Sequence, residues 1–322
     1  MPGTRLKAYS SHHFVLDLPP GHRFPMAKYR LLHERLAPAA RQMGIELVEP
    51  PRATDEDLLR VHSAEYVRRA VTGALEPGEL RRIGFPWSPE LIERSRRSSG
   101  ATSAALEHAV RTGGIAVNLA GGTHHAFRDH GAGYCIFNDA VVAARRAQAL
   151  GLARRVLIVD LDVHQGNGTA ALCAGDPTLF TFSMHAERNY PAVKFPGDLD
   201  VALPDGCADA PYLDSLARHL PLALERARAD AAIYLAGADP FAGDLLGWLA
   251  LSKAGLAERD RYVLETLGRA GLPVAVTMGG GYAEDVEDIV DIHFATVSRA
   301  AECARASVPR GRRRQPSDTL AA

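Results

Sequence analysis

The chain has 322 residues, 47% of them hydrophobic and 23% charged, with 37 basic against 38 acidic side chains and a formal net charge of -1. A chain of this length and mix buries roughly 75% of the surface its unfolded form exposes and needs no disulfide staples. The charge balance excludes nucleic-acid binding through bulk positive charge, and no apolar run nears the roughly 18 residues of a membrane span.

Cysteine usage narrows the setting. Cys135, Cys173, Cys207 and Cys303 lie far apart and form no CxxC pair. That spacing argues against a zinc knuckle or a disulfide framework and for a reducing cytoplasm. The start, Met1 to Lys7, carries no apolar stretch of the kind a secretion signal needs.

In chain order, the periodicity predicts helices over Lys28–Met43 and Pro89–Thr112, the second opened by Ser88 and Pro89. An apolar strand over 114–119 follows, then a helix over Asp139–Leu150 and strands over 156–161 and 179–183. A helix over Tyr212–Ala229, a strand over 231–236, a helix over Ser252–Ala270, a strand over 273–278 and a helix over Val286–Ser307 complete the series. Near-continuous apolar strands separated by helices indicate a parallel sheet buried on both faces. The expectation is an α/β chain with a single three-layer α/β/α domain over 1–308 and a mainly parallel sheet. The Arg-rich tail over 309–322 is expected to be disordered and solvated.

In open α/β sheets, chemistry collects past the carboxyl ends of the strands. Here those positions read Gly121-Gly122-Thr123-His124-His125, Asp160-Leu161-Asp162-Val163-His164-Gln165-Gly166-Asn167-Gly168, Ser183-Met184-His185, Gly237-Ala238-Asp239-Pro240 and Gly279-Gly280-Gly281-Tyr282. Taken singly, Asp162 and Asp239 read as helix caps and His164 as a loop residue. Taken together they form a one-histidine, two-carboxylate set with an open position, the form of a catalytic divalent metal site. On extended backbone Asp162 and His164 point to one side. Asp160 is available to orient one of the adjacent histidines, and Asn167 the other. The glycine run before Tyr282 permits close backbone approach, so that its hydroxyl can donate to a developing oxyanion.

These motifs, with Gly133-Tyr134-Cys135-Ile136-Phe137-Asn138-Asp139, resemble the zinc-dependent histone deacetylase family and its arginase-deacetylase fold. The resemblance runs from about Tyr9 to about Val297, and the Gln165-Gly166-Asn167-Gly168 variant is most similar to class IV members and bacterial relatives. It implies one catalytic zinc held by Asp162, His164 and Asp239, which polarises the acyl carbonyl and acidifies a water. His125 is then the general base and His124, paired with Asp160, its electrostatic support. Tyr282 stabilises the oxyanion, and the Gly133 carbonyl accepts the substrate amide N–H. Tyr134, Tyr190 and Leu246 line a tunnel for the acyl-lysine stem. A potassium ion is expected near Asp160, Asp162, His164, Ser183 and Met184.

The implied activity is removal of an acetyl or longer acyl group from lysine in proteins or peptides. Small acetylated amines such as polyamines are the alternative substrate, and Glu187 is a candidate acid at the tunnel rim. No membrane and no nucleic acid is expected as a partner. The two-metal ureohydrolases of the same fold need further metal carboxylates where this chain has Gly237 and Gly166. A binding module without catalysis is disfavoured by the intact histidines, ligands and Tyr282.

Overall fold

The computed structural model describes residues 6–306. Eight strands, β1 (Leu6–Tyr9), β2 (Ile45–Val48), β3 (Ile115–Asn118), β4 (Val156–Asp160), β5 (Leu179–Ala186), β6 (Leu199–Leu203), β7 (Ala231–Ala236) and β8 (Val274–Met278), form one sheet. Its order is β2-β1-β3-β8-β7-β4-β5-β6, and every neighbouring pair is parallel. The central strands are buried at every position, which is why they read as unbroken apolar runs.

Alternate residues of those strands feed two cores. Leu157 and Val159 of β4 join Tyr234 of β7 on one face, while Ile158 and Ile233 point to the other. The first face packs against α1 (Lys28–Leu36), α2 (Ala40–Met43), α9 (Asp209–Ala227), α10 (Lys253–Arg269) and α11 (Val286–Ala306). The second packs against α3 (Asp55–Leu59), α4 (Ala64–Thr72), α5 (Pro77–Ile83), α6 (Pro89–Thr112), α7 (Asp139–Ala149) and α8 (Asn167–Cys173). No helix among the described residues is long and apolar enough to cross a membrane.

Several boundaries differ from the sequence expectation. The helix predicted over 28–43 is two helices: Ala37 is still helical, but Pro38 supplies no N–H to continue the ladder. The strand predicted over 179–183 runs on to Ala186, where it pairs with the half-exposed β6, so Met184 and His185 lie within it. The edge strands β2 and β6, and β1 next to β2, escaped the apolar-run signal, being only four or five residues long with Lys7, Glu46 and Asp200 among them. The tail over 309–322 and the 308 boundary lie outside the described residues.

β3, β8, β7 and β4 are adjacent, so the loops past their carboxyl ends meet at one edge of the sheet. Wholly buried Arg259 of α10 clamps two of these loops. Its Nη1 donates to the carbonyls of Gly237 at 2.6 Å and Leu161 at 3.3 Å, and its Nε donates to Asp260 at 2.8 Å. Tyr234 and Thr296 also donate to Asp260. Removing one partner leaves the other charge buried and unpaired, so Arg259→Met is expected to cost about 3–5 kcal/mol in a denaturant titration. A change under about 1 kcal/mol would contradict that role for the clamp.

Candidate metal centre and active site

Asp162 and His164, just past β4, and Asp239, just past β7, are buried and bring one ligand atom each to within 4.8 Å of one another. His164 Nδ1 lies 3.0 Å from Asp162 Oδ1 and 3.2 Å from Asp239 Oδ2. Backbone amides fix the remaining oxygens: Gly280 donates to Asp162 Oδ2 at 2.8 Å and Val163 to Asp239 Oδ1 at 3.0 Å. Asp239 Oδ2 is buried with no hydrogen-bond partner. Burial and then the charge of Asp162 raise the Asp239 carboxyl to about 7. Two buried carboxylates with an imidazole and an orphaned oxygen form a donor set that fits a divalent cation.

Backbone without side chains makes room for this set. A Cβ on Gly280 would stand 1.7 Å from Asp239 Oδ2, and one on Gly237 would stand 2.7 Å from Asp162 Cα. Position 237 therefore leaves no space for an additional metal carboxylate. Among the described residues this is the one cluster of its kind, which favours a single-metal centre over the two-metal alternative.

The paired histidines flank it. His124 Nδ1 donates to Asp160 Oδ2 at 2.7 Å, and its Nε2 lies 3.1 Å from His125 Nε2. Burial pushes the His124 imidazole down, but Asp160 and Asp162 outweigh it and lift it to about 9. The two carboxylates thus favour the charged form of His124. His125 Nδ1 donates to the Asn167 carbonyl oxygen at 2.8 Å, which leaves Nε2 unprotonated. Burial, then the charges of His124 and His164, hold His125 well below its ordinary value. The pair is a neutral base beside an imidazole whose charged form is favoured.

Tyr282 follows the glycine run, and its ring centroid is 6.5 Å from that of His164. Burial, then Asp239 and Asp162, push its phenol well above the ordinary range, so it stays a hydrogen-bond donor. Asp244 accepts from the Tyr282 amide at 2.6 Å and from the amides of Leu246 and Gly247 at 2.8 Å, tying the Tyr282 loop to the tunnel wall.

A cavity of about 490 Å³ opens onto this group, with Gly133, Tyr134, Tyr190 and Leu246 in its wall and His125, His164 and Tyr282 at its base. Gly133 and Tyr134 both have positive φ, 51° and 64°, and the turn is tied to α5 by Tyr134 N donating to Ile83 O at 2.7 Å. The Cys135 thiol donates to the Gly133 carbonyl at 3.2 Å and leaves that oxygen a second lone pair. Adjoining the cavity, and sharing His125, His164 and Tyr282, is a smaller chamber of about 50 Å³ bounded also by Gly121, Gly279 and Lys28.

Residues 22–297 match the histone deacetylase domain family. The chain belongs to the histone deacetylase family. An uncharacterized protein of Picosynechococcus sp. is 47% identical over 288 residues, covering 87% of this chain and 93% of that protein. Histone deacetylase 3 of rice, Oryza sativa subsp. japonica, is 31% identical over 81% of this chain, which spans about half (54%) of that longer relative. The crystal structure of the HDA15 HD domain superposes with a TM-score of 0.76 at 23% identity, over 94% of this chain and 92% of that one. The fold is the arginase-deacetylase fold, and membership makes the chain a deacetylase-family hydrolase.

The structure thus brings the predicted residues together: His125, His164, Tyr282, Gly133, Tyr134, Tyr190 and Leu246 line the cavity, and Asp160, Asp162, Asp239, His124 and Asn167 contact the paired histidines or His164. Ser183 pairs in register with Asp160, its hydroxyl 2.9 Å from His185 Nδ1, and Met184 is buried in the core. Glu187, read as a rim acid, does not line the cavity. Three contributors escaped the sequence reading. Buried Lys28 donates to the Gly281 carbonyl at 3.2 Å and lies 5.2 Å from the Tyr282 ring centroid. Buried Asn189 donates to Leu246 O and accepts from Trp248 N, both at 2.8 Å. Arg259 is the third. None carries a local signal, since a lysine near a helix start and an arginine within one are usually solvated.

Asn167 gives a direct pH prediction for the family's hydrolytic activity. A carboxylate at 167 would favour the His125 imidazolium more than the amide does. Asn167→Asp should raise the His125 pKa, so kcat/KM falls off at higher pH on the acidic side. An acidic limb that stays in place in the kcat/KM profile would rule this out.

Proposed function

We propose that the chain is a zinc-dependent amidohydrolase that removes acetyl or another short acyl group from the lysine side-chain amine of peptides or proteins. The observation that carries this reading is the arrangement of Asp162, His164 and Asp239 beside His125 Nε2 and Tyr282 at the base of one cavity. When bound, the zinc supplies a Lewis acid for the acyl carbonyl and lowers the pKa of a water; iron(II) would accept the same ligands. A potassium ion near Asp160 and Ser183 belongs to the same reading.

The chain's own groups account for the proton movements. His125 accepts the water proton at Nε2 while Asn167 holds Nδ1–H in place. The same nitrogen then protonates the departing lysine amine. His124, whose charged form Asp160 favours, opposes a second positive charge and keeps His125 a base. The Tyr282 hydroxyl donates to the oxygen that gains charge on the acyl carbon. Tyr134 and Tyr190 exclude water around the lysine stem, and the free lone pair of Gly133 O accepts the amide N–H. With the stem in the outer cavity, the acyl tail faces the inner chamber of about 50 Å³, which suits a short chain. Cys135, Cys173 and Cys207 are buried as free thiols, as a reducing cytoplasm would keep them.

The test is hydrolysis of a peptide acyl-lysine series, acetyl through myristoyl, by zinc-loaded protein. Acetyl should give the highest kcat/KM, falling with chain length. Cleavage of acetylated polyamines alone would keep the chemistry and overturn the peptide substrate. If nothing in the series turned over, a binding module would replace the enzyme.

A further inference from the structure

Arg23, Arg81 and Arg82 stand together at the mouth of the outer cavity, whose lining contains no aspartate or glutamate. The chain as a whole carries a formal charge of -1, so this is a local concentration of positive charge. None of the three makes an ion pair or a side-chain hydrogen bond among the described residues. The two acids on which Arg82 acts at longer range are engaged elsewhere: Glu79 pairs with Arg69, and Asp129 with His130.

The backbone under the three arginines is held in place. His22 Nε2 donates to Gly84 O at 2.9 Å, joining the segment before Arg23 to the segment after Arg82. The Gly133 amide donates to Arg82 O at 3.1 Å, so Arg82 is tied to the turn that forms the cavity wall. Arg23 also acts electrostatically on the Tyr134 phenol and Arg82 on that of Tyr190, which sets both cations at the tunnel rim. On the other side, the rim is apolar, with Leu245 65% and Trp248 50% exposed.

Three unpaired cations around an opening with low-dielectric walls focus positive potential on it and raise the local concentration of anions. A cationic amine is repelled from the same place. Resting on the deacylase reading above, we propose that Arg23, Arg81 and Arg82 select acyl-lysine substrates that carry a carboxylate beside the stem. That carboxylate belongs either to an acidic neighbour in a peptide or to the α-carboxylate of free Nε-acyl-lysine. Bound this way, the acyl amide enters the tunnel while the carboxylate stays at the mouth between the guanidinium groups.

The experiment compares kcat/KM on zinc-loaded full-length protein for acetyl-lysine peptides flanked by Glu, Gln or Lys, for free Nε-acetyl-lysine and for an acetylated polyamine. The Glu-flanked peptide should exceed the Lys-flanked one by about tenfold or more, the lower range of electrostatic steering. That ratio should shrink toward one between low salt and 0.5 M salt. Arg23→Gln/Arg81→Gln/Arg82→Gln should abolish the preference, while the distant, exposed Arg218→Gln should keep it. A free amino acid cleaved better than the Glu-flanked peptide would assign the carboxylate to the α position; the reverse would assign it to a peptide neighbour. Equal rates on Glu- and Lys-flanked peptides, or a preference that survives in the triple variant, would overturn the inference and leave the deacylase reading standing. No turnover of any member would overturn both.

Discussion

Asp239→Asn is expected to leave a folded protein that no longer retains zinc and has no measurable hydrolase activity. The substitution keeps the shape but replaces the buried oxygen that lacks a hydrogen-bond partner with a neutral amide. Losing one of three ligands should weaken metal binding beyond the roughly 10–100-fold seen when residues behind a ligand are changed. Stability gives a second readout with a defined sign. The folded-state carboxyl is raised from 3.8 to about 7, so the metal-free fold binds a proton that the unfolded chain has released. The contribution of this carboxyl to the stability of metal-free wild type should therefore be lost as pH rises from about 4 to about 7. Asp239→Asn should flatten that slope, and added zinc should raise the melting temperature of wild type only. Tm against pH, with and without zinc, checks both statements. Equal zinc stabilisation of the two proteins would remove Asp239 from the ligand set.

Tyr282→Phe is expected to lower kcat about 10²–10³-fold, the usual effect of removing one oxyanion donor. KM should change little, because the hydroxyl matters most where charge develops on the acyl oxygen. The ring contacts with Tyr134, His164 and Phe24 survive the change, as does the Lys28 cation beside the ring. Zinc content and melting temperature should therefore match wild type, which separates this variant from Asp239→Asn. The phenol of wild type is held well above its ordinary range by burial and the two aspartates, so no loss of activity should arise from its ionisation below about pH 10. A variant that keeps more than about a tenth of wild-type kcat would remove Tyr282 from the chemistry.

Much of this protein was legible as a string of residues. The central strands had to be almost continuously apolar because helices cover both faces of the sheet, and that pattern indicates a parallel α/β fold. The groups at their carboxyl ends, from His124-His125 to Tyr282, were legible because their chemistry has no use in a core. Asp162 and His164 were readable as a pair because two residues on extended backbone share a side.

What lay far apart in the chain was decided only by tertiary structure. Strand order puts β3, β8, β7 and β4 side by side, and this, not any local propensity, brings Asp239 within reach of His164. Edge strands of mixed polarity and short helices such as α5 carry too few residues to display a period. Pro38 divides what periodicity read as one helix. Lys28, Asn189 and Arg259 look like ordinary polar residues until packing buries each against a backbone carbonyl of the site. The arginine rim follows the same rule: Arg23 and Arg81 are far apart in the chain and meet where His22 bonds to Gly84 and Phe24 packs against Phe85. Sequence by itself determined the chemistry available and the layers that hold it, since hydrophobic pattern and residue type are local properties. Folding determined which of those groups share a cavity and what charge stands at its mouth, since both depend on distances that chain order does not contain.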